Sequence, residues 1–284
     1  MSLNTVKHII IVMSGKGGVG KSTVAVNLAF GLAREGYFTG LMDIDLHGPS
    51  VVSMAGIEDQ RFQVGNDNQM IPIQKNEHLF IVSLASLLEH PDSPVIWRGP
   101  MKMGVIEQFI KEVAWPKLDY LVVDCPPGTG DEVLSIIQLL QRVTGTIIVS
   151  TPQKIAYLDV RKSIQFARKM GVPLLGLVEN MSAIQCPHCH QSIYLSDSQE
   201  AQRASKDFKI DLLASIPWDA GLMQEGDSGF KESKPGISKE IQEAFGTLVK
   251  KVIQKTSQSA ILCDFSGQCP SKDKNCQSCE HGKK

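Results

Sequence analysis

The amino-acid sequence predicts an α/β fold in which a doubly wound, mostly parallel sheet is flanked by helices. Short apolar runs alternate with helical patterns through most of the 284 residues. Several of these runs are apolar throughout, as is typical of parallel strands that helices bury on both faces. The predicted strands are 8–13, 40–42, 120–123, 146–149, 174–178 and 212–216.

Helices are predicted where apolar residues recur every three to four positions. The first covers 22–34 and is followed by a glycine, a common helix stop, and two more cover 131–141 and 159–170. The last carries apolar residues on one face from 237 to 252 and charged residues on the other, as a packed terminal helix does rather than a membrane anchor. Residues 58–76 are polar without a clear period, which indicates a loop or hairpin that leaves the sheet.

The composition is that of a protein with a large core, because hydrophobic residues make up 42% of the chain and charged residues 21%. It excludes a disordered or collagen-like chain. The net charge of -1 predicts no general attraction to nucleic acid or to an anionic membrane. The apolar runs are shorter than the roughly 20 residues that span a bilayer, and residues 1–4 lack the features of a secretory signal. We therefore predict a cytoplasmic protein with no membrane or nucleic-acid partner.

The segment 15–22 reads Gly-Lys-Gly-Gly-Val-Gly-Lys-Ser and matches the phosphate-binding pattern of Gly, four residues and Gly-Lys-Ser. A glycine-rich turn alone is the plain alternative, but the segment also lies between a predicted strand and helix, where backbone N–H groups and the helix N-terminus face phosphate oxygens. Lys21 should hold the β- and γ-phosphates, Ser22 should bind Mg²⁺, and Thr23 should contact the α-phosphate. The predicted nucleotide-binding residues here are Gly15, Lys16, Gly17, Gly18, Val19, Gly20, Lys21, Ser22 and Thr23.

Two aspartates follow apolar strands and should reach the same sheet edge, where ligands of parallel sheets bind. Asp45 follows the strand that includes Asp43, and Asp124 ends an apolar run in the manner of a Walker B strand. Each alone could be an ordinary strand-end cap. With the phosphate loop, they predict a Mg²⁺ site formed by Ser22, Asp45 and Asp124, with Asp43 in support.

Lys16 stands directly after the first glycine, where an ordinary phosphate loop requires no charge. Lys-Gly-Gly-Val-Gly-Lys-Ser resembles the deviant Walker A motif of the MinD, ParA and nitrogenase iron-protein group, which are SIMIBI-like P-loop NTPases. The resemblance implies a homodimer in which Lys16 crosses the interface to the partner's nucleotide, and it implies that Asp45 orients the attacking water. It thus assigns Lys16, Lys21 and Asp45 to catalysis. A solvated loop lysine is the alternative for Lys16.

A closer resemblance to the Mrp/ApbC branch of iron–sulfur cluster carrier ATPases covers about 8–252. The branch resemblance implies that Asn180, Pro217 and Asp219 line the adenine pocket. Taken alone, Asn180 is typical of a turn residue that closes a strand. The segments that carry the resemblance are 97–100, 124–131, 178–182 and 186–189.

Cys186 and Cys189 form a Cys-x-x-Cys pair. A [4Fe–4S] cluster needs about four thiolates, so two protomers that meet at a two-fold axis would complete the set. Zinc is a competitor, because two thiolates with His188 or His190 could give tetrahedral coordination. The Cys-x-x-Cys-His pattern also fits c-type haem attachment, which normally requires export, and a redox dithiol would normally lie at a helix N-terminus.

The helical period stops after Lys255, so we predict a P-loop ATPase domain over 1–256 and a cysteine-rich tail over 257–284. Four thiolates in one short tail could close a [4Fe–4S] or zinc site within one protomer, and iron–sulfur is favoured by association. Cys125 lies at an apolar strand end and is predicted to be a small core residue. The tail cysteines are Cys263, Cys269, Cys276 and Cys279.

These observations predict an ATP-binding and ATP-hydrolysing scaffold or carrier that transfers [4Fe–4S] clusters. Its expected cofactors are ATP, Mg²⁺ and the cluster, with zinc as the alternative metal. Its expected partners are a second copy of the chain, apo iron–sulfur proteins and cluster-assembly factors. The alternatives are a MinD/ParA-like positioning ATPase, an electron-transfer ATPase and a zinc-stapled nucleotide-binding adaptor.

Overall fold

The computed structural model describes residues 2–45, 50–61, 63–65, 69–87, 99–186, 188–189, 191–194, 200–230 and 237–258. The strands are β1 (Val6–Ser14), β2 (Thr39–Asp43), β3 (Gln63–Val64), β4 (Met70–Ile71), β5 (Ile73–Gln74), β6 (Leu79–Ser83), β7 (Leu118–Asp124), β8 (Gly145–Ser150), β9 (Leu174–Gln185), β10 (Ser192–Tyr194) and β11 (Leu212–Trp218). The helices are α1 (Lys21–Arg34), α2 (Val51–Ala55), α3 (Gly99–Glu112), α4 (Asp131–Leu140), α5 (Lys154–Lys169), α6 (Glu200–Phe208), α7 (Ala220–Ser228) and α8 (Lys239–Gln258), with 3₁₀ turns at Ser2–Thr5 and Leu84–Leu87.

The central sheet of the described chain has the strand order β10-β9-β8-β1-β7-β2-β6-β5, and β11 pairs with β9. The pairs of β1 with β7 and β8, of β2 with β6 and β7, and of β9 with β8 and β11 are parallel. Only the short strands β5 and β10 join this sheet antiparallel among the described residues. The predicted doubly wound and mostly parallel sheet is therefore confirmed, and all six predicted strands are present.

The two faces of β1 explain why its sequence is apolar throughout. Ile10 and Val12 join the core under α1 and α8, whereas Ile9, Ile11 and Met13 join the core under α3, α4 and α5. Helices cover both faces, so neither set of side chains meets water. Each side chain of this length that is removed from water stabilises the fold by about 1.5–3 kcal/mol.

The polar stretch at 58–76 forms the predicted hairpin, since β3 pairs antiparallel with β4, and β5 then returns to the sheet beside β6. The final helix α8 extends to Gln258, two residues beyond the predicted domain boundary, and Thr256 in its last turn is buried. No helix in the described part of the chain is both long and apolar enough to cross a membrane.

The strand ends create the edge at which ligands of parallel sheets bind. β2 and β7 end side by side, because Asp43 pairs with Asp124 in the register of the sheet. β9 passes the end of its neighbour β8, since Ser150 pairs with Glu179 and β9 continues to Gln185. The carboxyl edge therefore carries the aspartates at its centre and a projecting strand at one side.

Candidate functional site

The phosphate loop joins β1 to α1, as the motif requires. Gly18 and Gly20 have φ angles of 75° and 80°, in the left-handed region that favours glycine. Gly20 directly precedes α1, and no side chain caps that end of the helix. The first N–H groups of α1 therefore point towards the loop, with the partial positive charge of the helix N-terminus behind them.

Lys21 lies among three carboxylates at the carboxyl edge of the sheet. Its Nζ is 2.7 Å from Asp124 Oδ1 and 3.5 Å from Asp45 Oδ2, and only 5% of Lys21 is exposed. Asp43 adds a third carboxylate, which accepts hydrogen bonds from the Ser83 hydroxyl at 2.7 Å and from the Asp45 N–H at 3.0 Å. One cation therefore faces three acids.

The pKa values follow from burial and from this charge imbalance. Burial raises the pKa of Asp43 to about 8, and the neighbouring Asp124 carboxylate adds to the rise. Burial also raises the pKa of Asp124, against the opposing effect of Lys21. Burial by itself lowers the pKa of Lys21, but Asp124 and Asp45 outweigh it, so the net pKa of Lys21 is raised. The lysine remains a cation at neutral pH.

The residues predicted to bind Mg²⁺ fit a hard cation. Asp124 Oδ2 is buried and has no hydrogen-bond partner among the described residues. The Ser22 hydroxyl accepts a hydrogen bond from Lys21 Nζ at 3.3 Å, and its interaction with Asp124 acts to lower the pKa of that carboxyl. Carboxylate and hydroxyl oxygens are the donors that Mg²⁺ prefers, and an orphaned buried carboxylate oxygen gains most from a cation or its bound water. The structure thus brings Ser22, Asp45 and Asp124 together around Lys21.

Lys16 lies apart from the carboxylates. Its Nζ donates a hydrogen bond to Gln153 Oε1 at 3.0 Å, and Gln153 is the N-cap residue of α5. The sequence contains no signal that would have identified Gln153, because the contact joins residues 137 positions apart. Ser83, whose hydroxyl donates to Asp43, was also not predicted from the sequence. Ser83 ends β6 (Leu79–Ser83), an apolar run with the length of a short buried strand.

Asn180 contacts the phosphate loop from the neighbouring strand β9. Its Nδ2 donates a hydrogen bond to the Val19 carbonyl at 3.0 Å, and only 4% of Asn180 is exposed. The alternative of a turn residue that closes a strand is wrong, because β9 continues to Gln185. Pro217 lies in β11 beside this position, since Ile216 pairs with Asn180.

Asp219 begins the helix that follows β11. Its Oδ1 accepts a hydrogen bond from the Leu222 N–H at 2.8 Å, which makes Asp219 the N-cap residue of α7. Asp219 therefore stabilises the start of α7, a structural role separate from its predicted role in the adenine pocket.

The cysteine pair lies at the far end of β9, between β9 and β10. The Cys186 N–H donates to the Gln191 carbonyl at 2.9 Å, Cys186 is half-buried, and Cys189 is exposed. Hydrogen bonds from the backbone N–H groups of Cys189 and His188 lower the pKa of Cys186. Thiolates held by N–H donors are suited to soft metals such as zinc or to iron–sulfur clusters.

No group of three or more His, Cys, Asp or Glu side chains assembles as a metal site within the described ranges. The pair therefore supplies two thiolates there, and His190 lies outside the described residues. Cys125 is confirmed as a core residue, since it is completely buried and burial raises the pKa of its thiol. Also outside the described residues are Trp97, Arg98, Cys263, Cys269, Cys276 and Cys279.

Comparisons with known proteins agree with this geometry. The ParA family model, described as NUBPL iron-transfer P-loop NTPase, matches residues 5–253. The iron-sulfur cluster carrier protein of Methanocaldococcus jannaschii is 39% identical over 254 residues, which cover 89% of this chain and 87% of that protein. A cytosolic Fe-S cluster assembly factor NUBP2 homolog of Monosiga brevicollis is 45% identical over 227 residues, or 79% of this chain and 80% of that protein. A nucleotide-binding protein from Archaeoglobus fulgidus, solved in complex with ADP, matches with a TM-score of 0.70 and 36% identity over 80% of this chain and 88% of that one.

Proposed function

Because the chain belongs to the ParA family of NUBPL iron-transfer P-loop NTPases, we propose that it carries [4Fe–4S] clusters to apo-proteins under the control of ATP binding and hydrolysis. The proposed cargo is supported by relatives that are named as an iron-sulfur cluster carrier protein and a cytosolic Fe-S cluster assembly factor homolog. The observation that carries the proposal is the position of β9, which contacts the phosphate loop through Asn180 and ends at Gln185, directly before Cys186.

The proposed carrier is a homodimer. Cys186 and Cys189 supply two thiolates, and the described residues provide no third ligand beside them. A cluster with four thiolate ligands is completed when the same pair of a second protomer faces the first across a two-fold axis. The exposure of Cys189 supports access to such a partner.

The cluster leaves the carrier by ligand exchange. Four iron–thiolate bonds to the carrier break, and four form to the thiolates of the recipient protein. The protons released by the recipient's thiols return to the carrier's cysteines, so the step needs no oxidant or reductant. This exchange requires free thiols on the recipient and carrier cysteines that are labile ligands at the protein surface.

At the proposed nucleotide site, the N–H groups of the phosphate loop and the α1 N-terminus bind phosphate oxygens. Lys21 exchanges its contacts with Asp124 and Asp45 for the β- and γ-phosphates. Ser22, Asp45 and Asp124 hold Mg²⁺, which when bound neutralises phosphate charge. Asp45 orients the attacking water, and the adenine side of the site is formed by Asn180, Pro217 and Asp219.

Lys16 completes the proposed catalytic set in the dimer. Its contact with Gln153 is a single hydrogen bond to an uncharged amide oxygen, which Lys16 can exchange for a stronger contact with an anionic phosphate. A lysine that reaches the partner's nucleotide stabilises charge that develops during hydrolysis, as an arginine finger does.

Anaerobic reconstitution tests the cargo. We would use the full chain with Ser at Cys263, Cys269, Cys276 and Cys279, so that no cluster on the tail contributes, and compare it with the same chain that also carries Cys186→Ala and Cys189→Ala. The proposal predicts about four iron and four sulfide per dimer, with absorption near ~400 nm, for the first chain and none for the second. Zinc alone in the first chain, or equal iron in both, would overturn the proposal and favour a zinc-stapled adaptor.

The role of the nucleotide is tested separately, by transfer from the reconstituted protein to an apo-ferredoxin. We expect ATP to change the transfer rate and Lys21→Ala to abolish that change. A transfer rate that is the same with ATP, with ADP and in the Lys21→Ala variant would remove ATP control from the proposal and leave the cargo assignment in place.

A further inference from the structure

Strand β9 is irregular between Asn180, which contacts the phosphate loop, and Ile184, which lies two residues before Cys186. In its register with β11, Asn180 pairs with Ile216 and Ile184 pairs with Trp218, so four steps along β9 match two along β11. Two extra residues are therefore accommodated in β9 at this point, as in a β-bulge.

Met181 lies in this irregular segment with a φ angle of 56°. Non-glycine residues rarely adopt the left-handed conformation, and within a strand it is an outlier that the surrounding structure must impose. The other described non-glycine residues with positive φ are Gln141 and Lys209, and each directly follows a helix. A positive φ is common directly after a helix, and among these three residues Met181 alone lies inside a strand.

The irregular segment lies directly beside the phosphate loop. Asn180, the residue before Met181, donates its hydrogen bond to the Val19 carbonyl at 3.0 Å. A Cβ added at Gly20 would lie 2.1 Å from Asn180 Nδ2 and 3.9 Å from Met181 Cε, so Asn180 packs against the loop and the end of the Met181 side chain lies near it. A shift of the loop therefore reaches the backbone at Met181 through its neighbour Asn180, which is hydrogen-bonded to the loop.

The same segment leads to the cysteines. Cys186 is five residues beyond Met181, about 16 Å along an extended strand. Those residues are held in the sheet, because β10 pairs with Ala183, Ile184 and Gln185, and the Cys186 N–H is bound to the Gln191 carbonyl. A rotation at Met181 is thus carried to the cysteine pair by a hydrogen-bonded hairpin, not absorbed by a free loop.

We propose that Met181 is a positioning residue through which the nucleotide at the phosphate loop and the metal ligands Cys186 and Cys189 influence each other. Left-handed and extended conformations of Met181 give two positions of the end of β9 relative to Asn180, and the nucleotide binds the two with different affinity. By linkage, metal bound to the cysteines changes nucleotide affinity by the same factor. The inference rests on the proposed function, which places the nucleotide at the phosphate loop and the cluster at Cys186 and Cys189.

The test uses the full wild-type chain without metal and measures the alkylation rates of Cys186 and Cys189 by iodoacetamide, with and without Mg·ADP. Peptide mass spectrometry resolves each cysteine, and buried Cys125 reports any global opening. We expect Mg·ADP to change the rate of at least one of the two cysteines by about fivefold or more, the usual scale of coupling between sites.

Variants at Met181 separate the two conformations. Met181→Gly and Met181→Asn tolerate the left-handed conformation, whereas the β-branched side chain in Met181→Ile disfavours it. All three are expected to bring the ratio of rates with and without Mg·ADP close to one. Met181→Gly and Met181→Asn should share one alkylation rate, and Met181→Ile should show a different one. The wild-type rates with and without Mg·ADP should lie between these two values. Lys209→Gly relieves a similar φ angle of 52° outside β9 and should keep the wild-type ratio.

Three outcomes would overturn the inference. Wild-type ratios in both Met181→Gly and Met181→Asn would show that the conformation at this position does not carry the coupling, even if Met181→Ile fails to fold. A lost ratio in Lys209→Gly would show a nonspecific effect. Unchanged alkylation in the wild type, with Mg·ADP binding confirmed by calorimetry, would show that β9 does not couple the sites, while iron–sulfur reconstitution would still decide the carrier function.

Discussion

Lys21 and Asp124 form a buried ion pair, with the lysine Nζ 2.7 Å from Oδ1. The second oxygen of Asp124 has no hydrogen-bond partner in the described structure, and Asp43 lies beside Asp124 in the sheet. The lysine that the motif assigns to phosphate is thus also the counter-ion of the proposed Mg²⁺ carboxylate. Stability and nucleotide binding therefore depend on the same side chain.

Lys21→Met should destabilise the fold as well as abolish nucleotide binding. The change leaves Asp124 and Asp45 without their buried cation, and removal of one partner from a buried ion pair typically costs about 3–5 kcal/mol. Urea unfolding at pH 7 measures the free energy of unfolding, and calorimetry measures Mg·ADP affinity.

Asp124→Asn is the matched variant. It removes one of the competing acids, and Lys21 keeps Asp45 at 3.5 Å, so we expect a much smaller loss of stability than in Lys21→Met. Mg²⁺-dependent binding should still fall, because an amide is a poorer Mg²⁺ ligand than a carboxylate. Equal destabilisation by the two changes would contradict the charge imbalance that we assign to the site.

Gly20→Ala should disrupt the phosphate loop. The new Cβ would lie 2.1 Å from Asn180 Nδ2, and the φ angle of 80° is unfavourable for alanine. The strained conformation alone costs about 1–3 kcal/mol, and displacement of Asn180 leaves the buried Val19 carbonyl without its donor. Thermal unfolding and ADP affinity should both report the loss.

Gly17→Ala is the control for this change. A Cβ at Gly17 meets no atom within 4 Å, and no positive φ constrains the residue. We expect its melting temperature to stay near that of the wild type. If Gly20→Ala were as stable as Gly17→Ala, the contact of Asn180 with the loop would not be a structural constraint.

The sheet and the phosphate loop were predictable because their signals are local. An apolar run such as β1 must be buried on both faces, and the glycines with Lys21 and Ser22 suit one kind of ligand. The carboxylate cluster was also predictable in outline, since the ends of parallel strands meet at one edge. Asp45 and Asp124 accordingly lie where the pattern placed them.

What could not be predicted depends on contacts between distant residues or on backbone angles. The hydrogen bond of Lys16 to Gln153 joins two segments with no shared pattern. The left-handed Met181 has no local cause, because methionine has no preference for that conformation. Asn180 was typical of a turn, and only the continuation of β9 beyond it shows that it is a strand residue facing the phosphate loop.

Tyr120→Phe should weaken the attachment of the last helix. The Tyr120 hydroxyl and Thr256 Oγ1 are 3.0 Å apart in a buried contact between β7 and the last turn of α8. Loss of this hydrogen bond is expected to cost about 0.5–1.5 kcal/mol in urea unfolding. A chain that ends at Gln258 keeps the contact and should match the full chain, whereas one that ends at Lys255 should resemble Tyr120→Phe. Full stability of the chain that ends at Lys255 would show that the domain ends before Thr256.

Glu179 should make stability fall as pH rises. The side chain is 4% exposed, and its Oε2 accepts a hydrogen bond from the Ser215 hydroxyl at 3.1 Å. Burial raises the pKa of Glu179 above its ordinary value of 4.5, against the smaller effect of that hydrogen bond. The folded protein therefore keeps a proton that the unfolded chain has already lost, so the stability linked to this group is complete below about pH 4.5 and is lost as pH rises through the folded-state pKa.

Glu179→Gln removes this titration and keeps an oxygen that can accept from Ser215. The variant should be more stable than the wild type at pH 8, and the advantage should shrink towards pH 4.5. Urea unfolding at several pH values gives the difference between the two proteins, in which the titration of all other groups largely cancels. Glu77→Gln, at an exposed position, serves as the control and should show no such trend. An advantage of Glu179→Gln that grew towards low pH would mean that the folded protein prefers the ionised carboxylate, and burial would then not be the dominant influence on Glu179.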